Sequence, residues 1–110
     1  MYVVIFEVEP KTSGMNDYLR IAAQLKEELE KIEGFISIER FQSLNEPKKL
    51  LSLSTWENEA AIALWRNQLT HKSAQQEGRA FLFENYRIRV ANVTRDYDLS
   101  SSPWAVSYTH

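Results

Sequence analysis

The chain has 110 residues, enough for one domain around a single small core. Its 44% hydrophobic and 25% charged content is ordinary for a globular protein, and a formal net charge of -2 argues against a nucleic-acid binder, which carries a basic patch or stripe. There is no Cys, which excludes disulfides, thiolate catalysis and Cys-based metal centres and suits a reducing compartment.

In chain order, Tyr2 to Val8 (YVVIFEV) is β-branched and aromatic and predicts a strand. The run has no basic segment before it and no cleavage site after it, and no apolar run approaches the roughly 20 residues of a membrane span. No membrane contact and a cytoplasmic location are therefore expected. Pro10 and Gly14 break the pattern. From Met15 to Ile32 the residues Tyr18, Ile21, Ala22, Leu25, Leu29 and Ile32 recur at helical spacing, with Ser13 or Asn16 as the cap and Gly34 as the stop. Phe35 to Ser43 predicts a second strand, Asn45-Glu46-Pro47 a turn, and Lys49 to Trp56 a third strand antiparallel to the second. A short helix is expected over Glu57 to Asn67, a second helical piece from about Thr70 to Leu82, and a last strand over Tyr86 to Tyr97.

This order, β-α-β-β-α-β, predicts an α+β fold of ferredoxin-like type with an antiparallel sheet. Two helices cover one face of such a sheet. Along the first strand both alternating sets are largely apolar, Tyr2, Val4, Phe6 and Val8 on one side and Val3 and Ile5 on the other. A face meant for water would alternate more cleanly. The uncovered face is thus expected to bury itself in a homodimer, with Glu7, Glu39, Arg40, Arg87 and Arg89 either pairing around the interface or forming a solvated rim. Residues 1–98 form the domain. The tail, residues 99–110, has no formally charged side chain but contains Trp104 and Tyr108, and is expected either to pack on its own subunit or be partly disordered, or to lie on a partner.

Within Trp56 to His71 (WENEAAIALWRNQLTH), Ala61, Leu64 and Trp65 share a helix face and read as core. The face of His71, Ala74, Gln75 and Gly78 has the same spacing but small and polar residues. It either faces water or leaves room for a ligand, with His71 and Gln75 in the wall. No His/Asp/Glu group has ligand spacing, so no metal site is expected. No Gly-x-Ser-x-Gly turn supports a nucleophile, and no Gly-rich loop cradles phosphate.

The run STWENEAAIALWRNQLTHKSAQQEGR followed by YRIRVANVTRDY resembles the antibiotic biosynthesis monooxygenase domains of the dimeric α+β barrel superfamily. The matching elements are Trp56, Trp65, His71, Gln75-Gln76, Gly78-Arg79 and the YRIRVA of the last strand. The resemblance implies a homodimer whose two sheets form a barrel, each subunit holding a pocket between sheet and helices. It implies a monooxygenase that needs no cofactor, neither flavin nor metal, because an electron-rich aromatic substrate such as a quinol or anthrone reduces dioxygen itself. In that frame His71 is the candidate base and Arg79 or Arg87 the anion stabiliser. Trp65, Gln75, Phe81, Phe83, Tyr86 and Arg87 are the candidate substrate-binding residues, and Trp56 is structural. A non-catalytic small-molecule-binding domain is the alternative. Haem binding or degradation is disfavoured: the family's haem-degrading branch has an Asn near the position of Glu7 and a ligand His near that of Gln75. The branch acting on polycyclic aromatics has an Asn where this chain has Ala61.

Overall fold

A computed structural model describes residues 1–11, 14–75 and 83–101, with the backbone alone described over residues 68–75. The elements are β1 (Tyr2–Pro10), α1 (Met15–Leu29), β2 (Phe35–Gln42), β3 (Leu50–Trp56), α2 (Glu59–Gln75) and β4 (Phe83–Asn92). They form one antiparallel sheet in the order β2-β3-β1-β4, so the β-α-β-β-α-β fold expected of the sequence is present.

Boundaries differ from expectation in physically informative places. α2 is one continuous helix rather than two pieces, since Gln68 and Leu69 at the expected break are both compatible with a helix and neither Gly nor Pro intervenes. β4 starts earlier and ends earlier than predicted. Its last ladder pair is Tyr2 with Asn92, at the start of β1, and Val93 N–H then donates to the Met1 carbonyl at 3.0 Å. A strand cannot outrun its partner. At the start of α1 the N-cap position belongs to Gly14, without a side-chain cap, rather than to Asn16; Ser13 lies outside the described residues. Gly34 does not directly stop α1, which ends at Leu29. With φ +96° it turns the chain into β2, where its carbonyl accepts from Glu57 N–H at 2.7 Å.

In antiparallel ladders, residues directly opposite share a face. The register therefore sorts the sheet. Tyr2, Val4, Phe6 and Val8 of β1 face the helices together with Leu50, Ser52, Ser54 and Trp56 of β3 and Tyr86, Ile88 and Val90 of β4. Val3, Ile5, Glu7, Leu51, Leu53, Arg87 and Arg89 share the open face with Glu39 and Phe41 of β2. Arg40 falls on the helix side instead, where its Nη2 donates to the Ala22 carbonyl at 2.9 Å, so it is not part of an open-face ionic rim. Glu7 does pair on the open face, with Arg89 at 3.3 Å and Lys49 at 4.0 Å.

Two clusters make the core. One joins Val8, Tyr18, Ala22 and Leu50 under α1; the other joins Leu29, Trp56, Ala61 and Ile62 under α2. The alternation of β3 puts small Ser52 and Ser54 beneath the helices. Trp56 is fully buried, donates from Nε1 to Ser54 Oγ at 2.9 Å and meets the Phe35 ring edge-on at 5.3 Å. Leu64, expected in the stripe with Ala61 and Trp65, is 56% exposed. The buried arc is centred on Ala61, Ile62 and Trp65, and at about 100° per residue Leu64 falls on its flank.

Candidate functional site

The helix-side face of the β1–β4 pair is a trough of apolar rows. Val8 stands beside Tyr86, Phe6 beside Ile88 and Val4 beside Val90. Phe83, at the start of β4, closes one end. Its ring centroid lies 6.3 Å from Phe6, 5.7 Å from Tyr18 and 6.3 Å from Tyr86, and Phe6 and Tyr86 are 6.0 Å apart. These tilted and edge-on contacts lock the rings to one another. Trp65 of α2 stands at the other end, packed with Tyr2 and Val4 against the Trp56 cluster. Between the two ends the floor is open: Tyr86, Ile88 and Val90 are 59%, 55% and 49% exposed. An open apolar strip with aromatic ends suits a flat, weakly polar molecule.

One polar group stands behind the aromatic end. The Tyr18 hydroxyl is buried, which pushes its pKa up, while the adjacent Arg40 guanidinium, through its charge and a hydrogen bond, pulls in the opposite direction. Burial dominates, so the phenol is neutral throughout the physiological range.

A concavity of about 160 Å³ lies at the sheet end where Glu7, Glu9, Lys49, Asn85, Tyr86 and Arg87 meet. It is smaller than the roughly 300 Å³ at which ligand pockets begin, and its wall is ionic. It does not suit an apolar ring system.

The sequence-derived candidates are distributed as follows. Trp65, Phe83 and Tyr86 lie on the helix side of the sheet, around the trough. Arg87 does not join them: it sits opposite Glu7 on the other face, because neighbouring strand residues point to opposite sides. His71 and Gln75 belong to α2, but their side chains lie outside the described residues, as do Arg79 and Phe81 altogether. Phe6, Tyr18, Ile88 and Val90 were not among the candidates. The signal for Ile88 and Val90 was present, since in Tyr86 to Val90 (YRIRV) they recur at period two from Tyr86. Glu7, the position compared with the Asn of the haem-degrading branch, faces away from the trough and is engaged by Arg89.

Among the described residues no three His, Asp or Glu side chains gather in a way that would hold a metal, and no helix is long and apolar enough to cross a membrane.

Comparison with known proteins agrees with this architecture. The sequence profile described as antibiotic biosynthesis monooxygenase matches residues 1–77. The Pyricularia oryzae protein named jasmonate monooxygenase ABM is 45% identical over 94 residues, which is 86% of this chain but 44% of that protein; the chain thus spans less than half of this relative's length. Among solved structures, a Deinococcus radiodurans protein provisionally named an antibiotic biosynthesis monooxygenase superposes with a TM-score of 0.75 at 10% identity, covering 89% of this chain and 97% of that one. A variant of MhuD with two manganese protoporphyrin IX molecules bound per active site superposes with a TM-score of 0.70 at 17% identity, over 89% and 99% of the two chains. At such low identity these structures speak for the fold alone, whereas the profile match and the fungal relative speak for ancestry. The chain belongs to the antibiotic biosynthesis monooxygenase family.

Proposed function

We propose that this protein is a monooxygenase acting on a quinol, anthrone or similar electron-rich ring system, bound in the trough between Phe83 and Trp65. The observation that carries this reading is the open apolar floor of Tyr86, Ile88 and Val90 between two aromatic ends, in a chain of this family. The substrate supplies the electrons. A base removes a proton from the ring system, the resulting anion passes one electron to dioxygen, and the radical pair collapses to a peroxide. Loss of water leaves a carbonyl: for an anthrone, one CH₂ and one O₂ become one C=O and one H₂O. The protein's share is a base near neutral pKa, a cation for the developing anion and exclusion of water. His71 is assigned as the base and Arg79 as the cation. Arg87 is not, since it belongs to the opposite face. Gln75 and Phe81 are assigned to the substrate wall.

The same reading makes the protein a homodimer through its open face, where Val3, Ile5, Leu51, Leu53 and Phe41 form an apolar surface around the Glu7 ion pairs.

A second reading is supported by the fungal relative's name and by the aliphatic floor: a jasmonate-like, lipid-derived substrate. Hydroxylating an unactivated C–H consumes two electrons beyond those the substrate provides, so this reaction requires an added reductant. The discriminating experiment is oxygen uptake over a panel of quinols, anthrones and jasmonic acid, each with and without a two-electron donor, beside His71→Ala. Uptake above autoxidation without a donor, reduced in His71→Ala, is expected. Uptake only with jasmonic acid and a donor would replace the first reading with the second. Binding without uptake under any condition would leave a carrier or sensor domain.

A further inference from the structure

The open face of the sheet carries its charges toward the sides. Paired across the ladders, Glu39 of β2, Leu53 of β3, Ile5 of β1 and Arg89 of β4 form one row, and Phe41, Leu51, Glu7 and Arg87 form the next. The four described strands run β2-β3-β1-β4, so Glu39 stands at one side and both arginines at the other, with Val3, Ile5, Leu51 and Leu53 between them. Glu7 is met within its own chain by Arg89 at 3.3 Å and Lys49 at 4.0 Å. Glu39 and Arg87 are exposed, and neither has an ion-pair partner among the described residues.

Such a row is its own complement. Two copies packed face to face are related by a two-fold axis lying in the plane between them, because the rotation must exchange the two sides of that plane. With the axis along the strands, β4 of each copy lies over β2 of the other. The row Glu39, Leu53, Ile5, Arg89 then meets Arg89, Ile5, Leu53, Glu39: acid on guanidinium at both ends and apolar on apolar between. In the next row Arg87 comes over the ring of Phe41, a cation on an aromatic face. With the axis across the strands, β4 lies over β4 and β2 over β2. That sets the arginines of one copy against those of the other and Glu39 against its own counterpart, and like charges in contact are costly. Aligned sheets are rotated by about 30°, and the outer strands lie about 7 Å from the centre, so a pair at the side shifts by only about 4 Å. An Arg side chain spans that.

We propose that a second copy docks on this face with the two-fold axis along the strands, pairing Arg89 with the partner's Glu39 and laying Arg87 on the partner's Phe41. The apolar centre supplies the buried area, and the charges at the sides select this orientation over the other. Arg87 and Glu39, which have no ion-pair partner among the described residues of their own chain, each gain one. The inference rests on the homodimer reading above and not on the reaction.

Small side chains at the same two sides allow a test that leaves these charges in place. Ser37 of β2 and Ala91 of β4 share the open-face row of Thr55 and Val3, and the chain has no Cys. Ser37→Cys and Ala91→Cys are made in separate chains, mixed, allowed to exchange subunits, and treated with a short bis-maleimide that spans the roughly 10 Å between packed sheets. Cross-linked dimers are expected to form at least tenfold faster in the mixture than with either variant alone, where the two thiols stand three strand spacings apart. A dimeric protein that cross-links equally in all three samples, not at all, or fastest in a single-variant sample would overturn the orientation and leave the homodimer standing. A monomer by sedimentation at micromolar concentration would overturn both. Charge gives an independent reading. Glu39→Lys is expected to raise the dimer Kd at least tenfold, whereas Glu27→Lys, the same charge change at an exposed position of α1, leaves it unchanged. Equal Kd values for the two variants would also overturn the proposal.

Discussion

The helix-side face of the sheet holds two aromatic groups of opposite character. Around Trp56 the rings are sealed: the indole is fully buried, its N–H is satisfied by Ser54, and Phe35 abuts it edge-on. Around Tyr86 the ring centroids stand farther apart, at 6.0 and 6.3 Å, and Tyr86 leaves more than half of its surface to solvent. The first arrangement spends aromatic area on stability, and the second keeps it available. The same residue chemistry, separated by a few strand positions, thus divides into foundation and site.

Substitutions at the two ends should separate stability from activity, and they rank by size. Trp56→Ala removes the largest fully buried side chain among the described residues and is expected to cost about 3–5 kcal/mol in denaturant unfolding; a loss under about 1 kcal/mol would remove the distinction between foundation and site. Gly34→Ala comes next. Its φ of +96° disfavours any side chain, and the new Cβ would stand 2.8 Å from Ala61 Cβ, where α2 meets the entry to β2. A destabilisation of about 1–3 kcal/mol is expected, again by denaturant. Tyr86→Ala inverts the pattern. The side chain is mostly exposed, so the unfolding midpoint should move little, while oxygen uptake with the active substrate falls about tenfold, equivalent to about 1.4 kcal/mol. Equal losses of stability and activity would make Tyr86 part of the foundation. Asn58→Ala, which deletes the 2.9 Å acceptor for Ala61 N–H at the start of α2, should cost about 1 kcal/mol.

The smallest effect lies in the turn after β4. Hydrogen bonds from Ser100 and Ser101 hold the Asp98 carboxyl down from 3.8 to about 2. A depressed acid stabilises its surroundings while ionised. The contribution is complete above pH 3.8 and fades as the pH falls through about 2. The Ser100 and Ser101 amide shifts, followed by NMR, should titrate near pH 2, and a midpoint near 3.8 would mean that the turn does not form in solution.

The sequence carried the architecture because the strands are runs of β-branched and aromatic residues bounded by turn residues and α1 has one unbroken stripe. It was less informative where neighbours decide. The end of β4 is set by where β1 begins, which no property of Val93 or Thr94 encodes. Arg40 looked like a rim charge, yet the register turns it under α1 to meet the Ala22 carbonyl. The family resemblance put Arg87 and Tyr86 in one site, but a strand sends adjacent residues to opposite faces. Trp65 and Phe83, far apart in sequence, came out at the two ends of one trough through their packing against β1.

Trp56 and Trp65 occupy environments different enough to act as separate optical reporters. The indole of Trp56, sealed and hydrogen-bonded, should emit at short wavelength and respond only when the whole domain unfolds. Trp65, half-buried at the rim, should shift or quench when a guest arrives, without any change in folding. With Trp104 replaced by Phe, the chain would carry an internal reference and a sensor in one spectrum, so that occupancy of the trough could be followed without knowing its guest's chemistry beforehand.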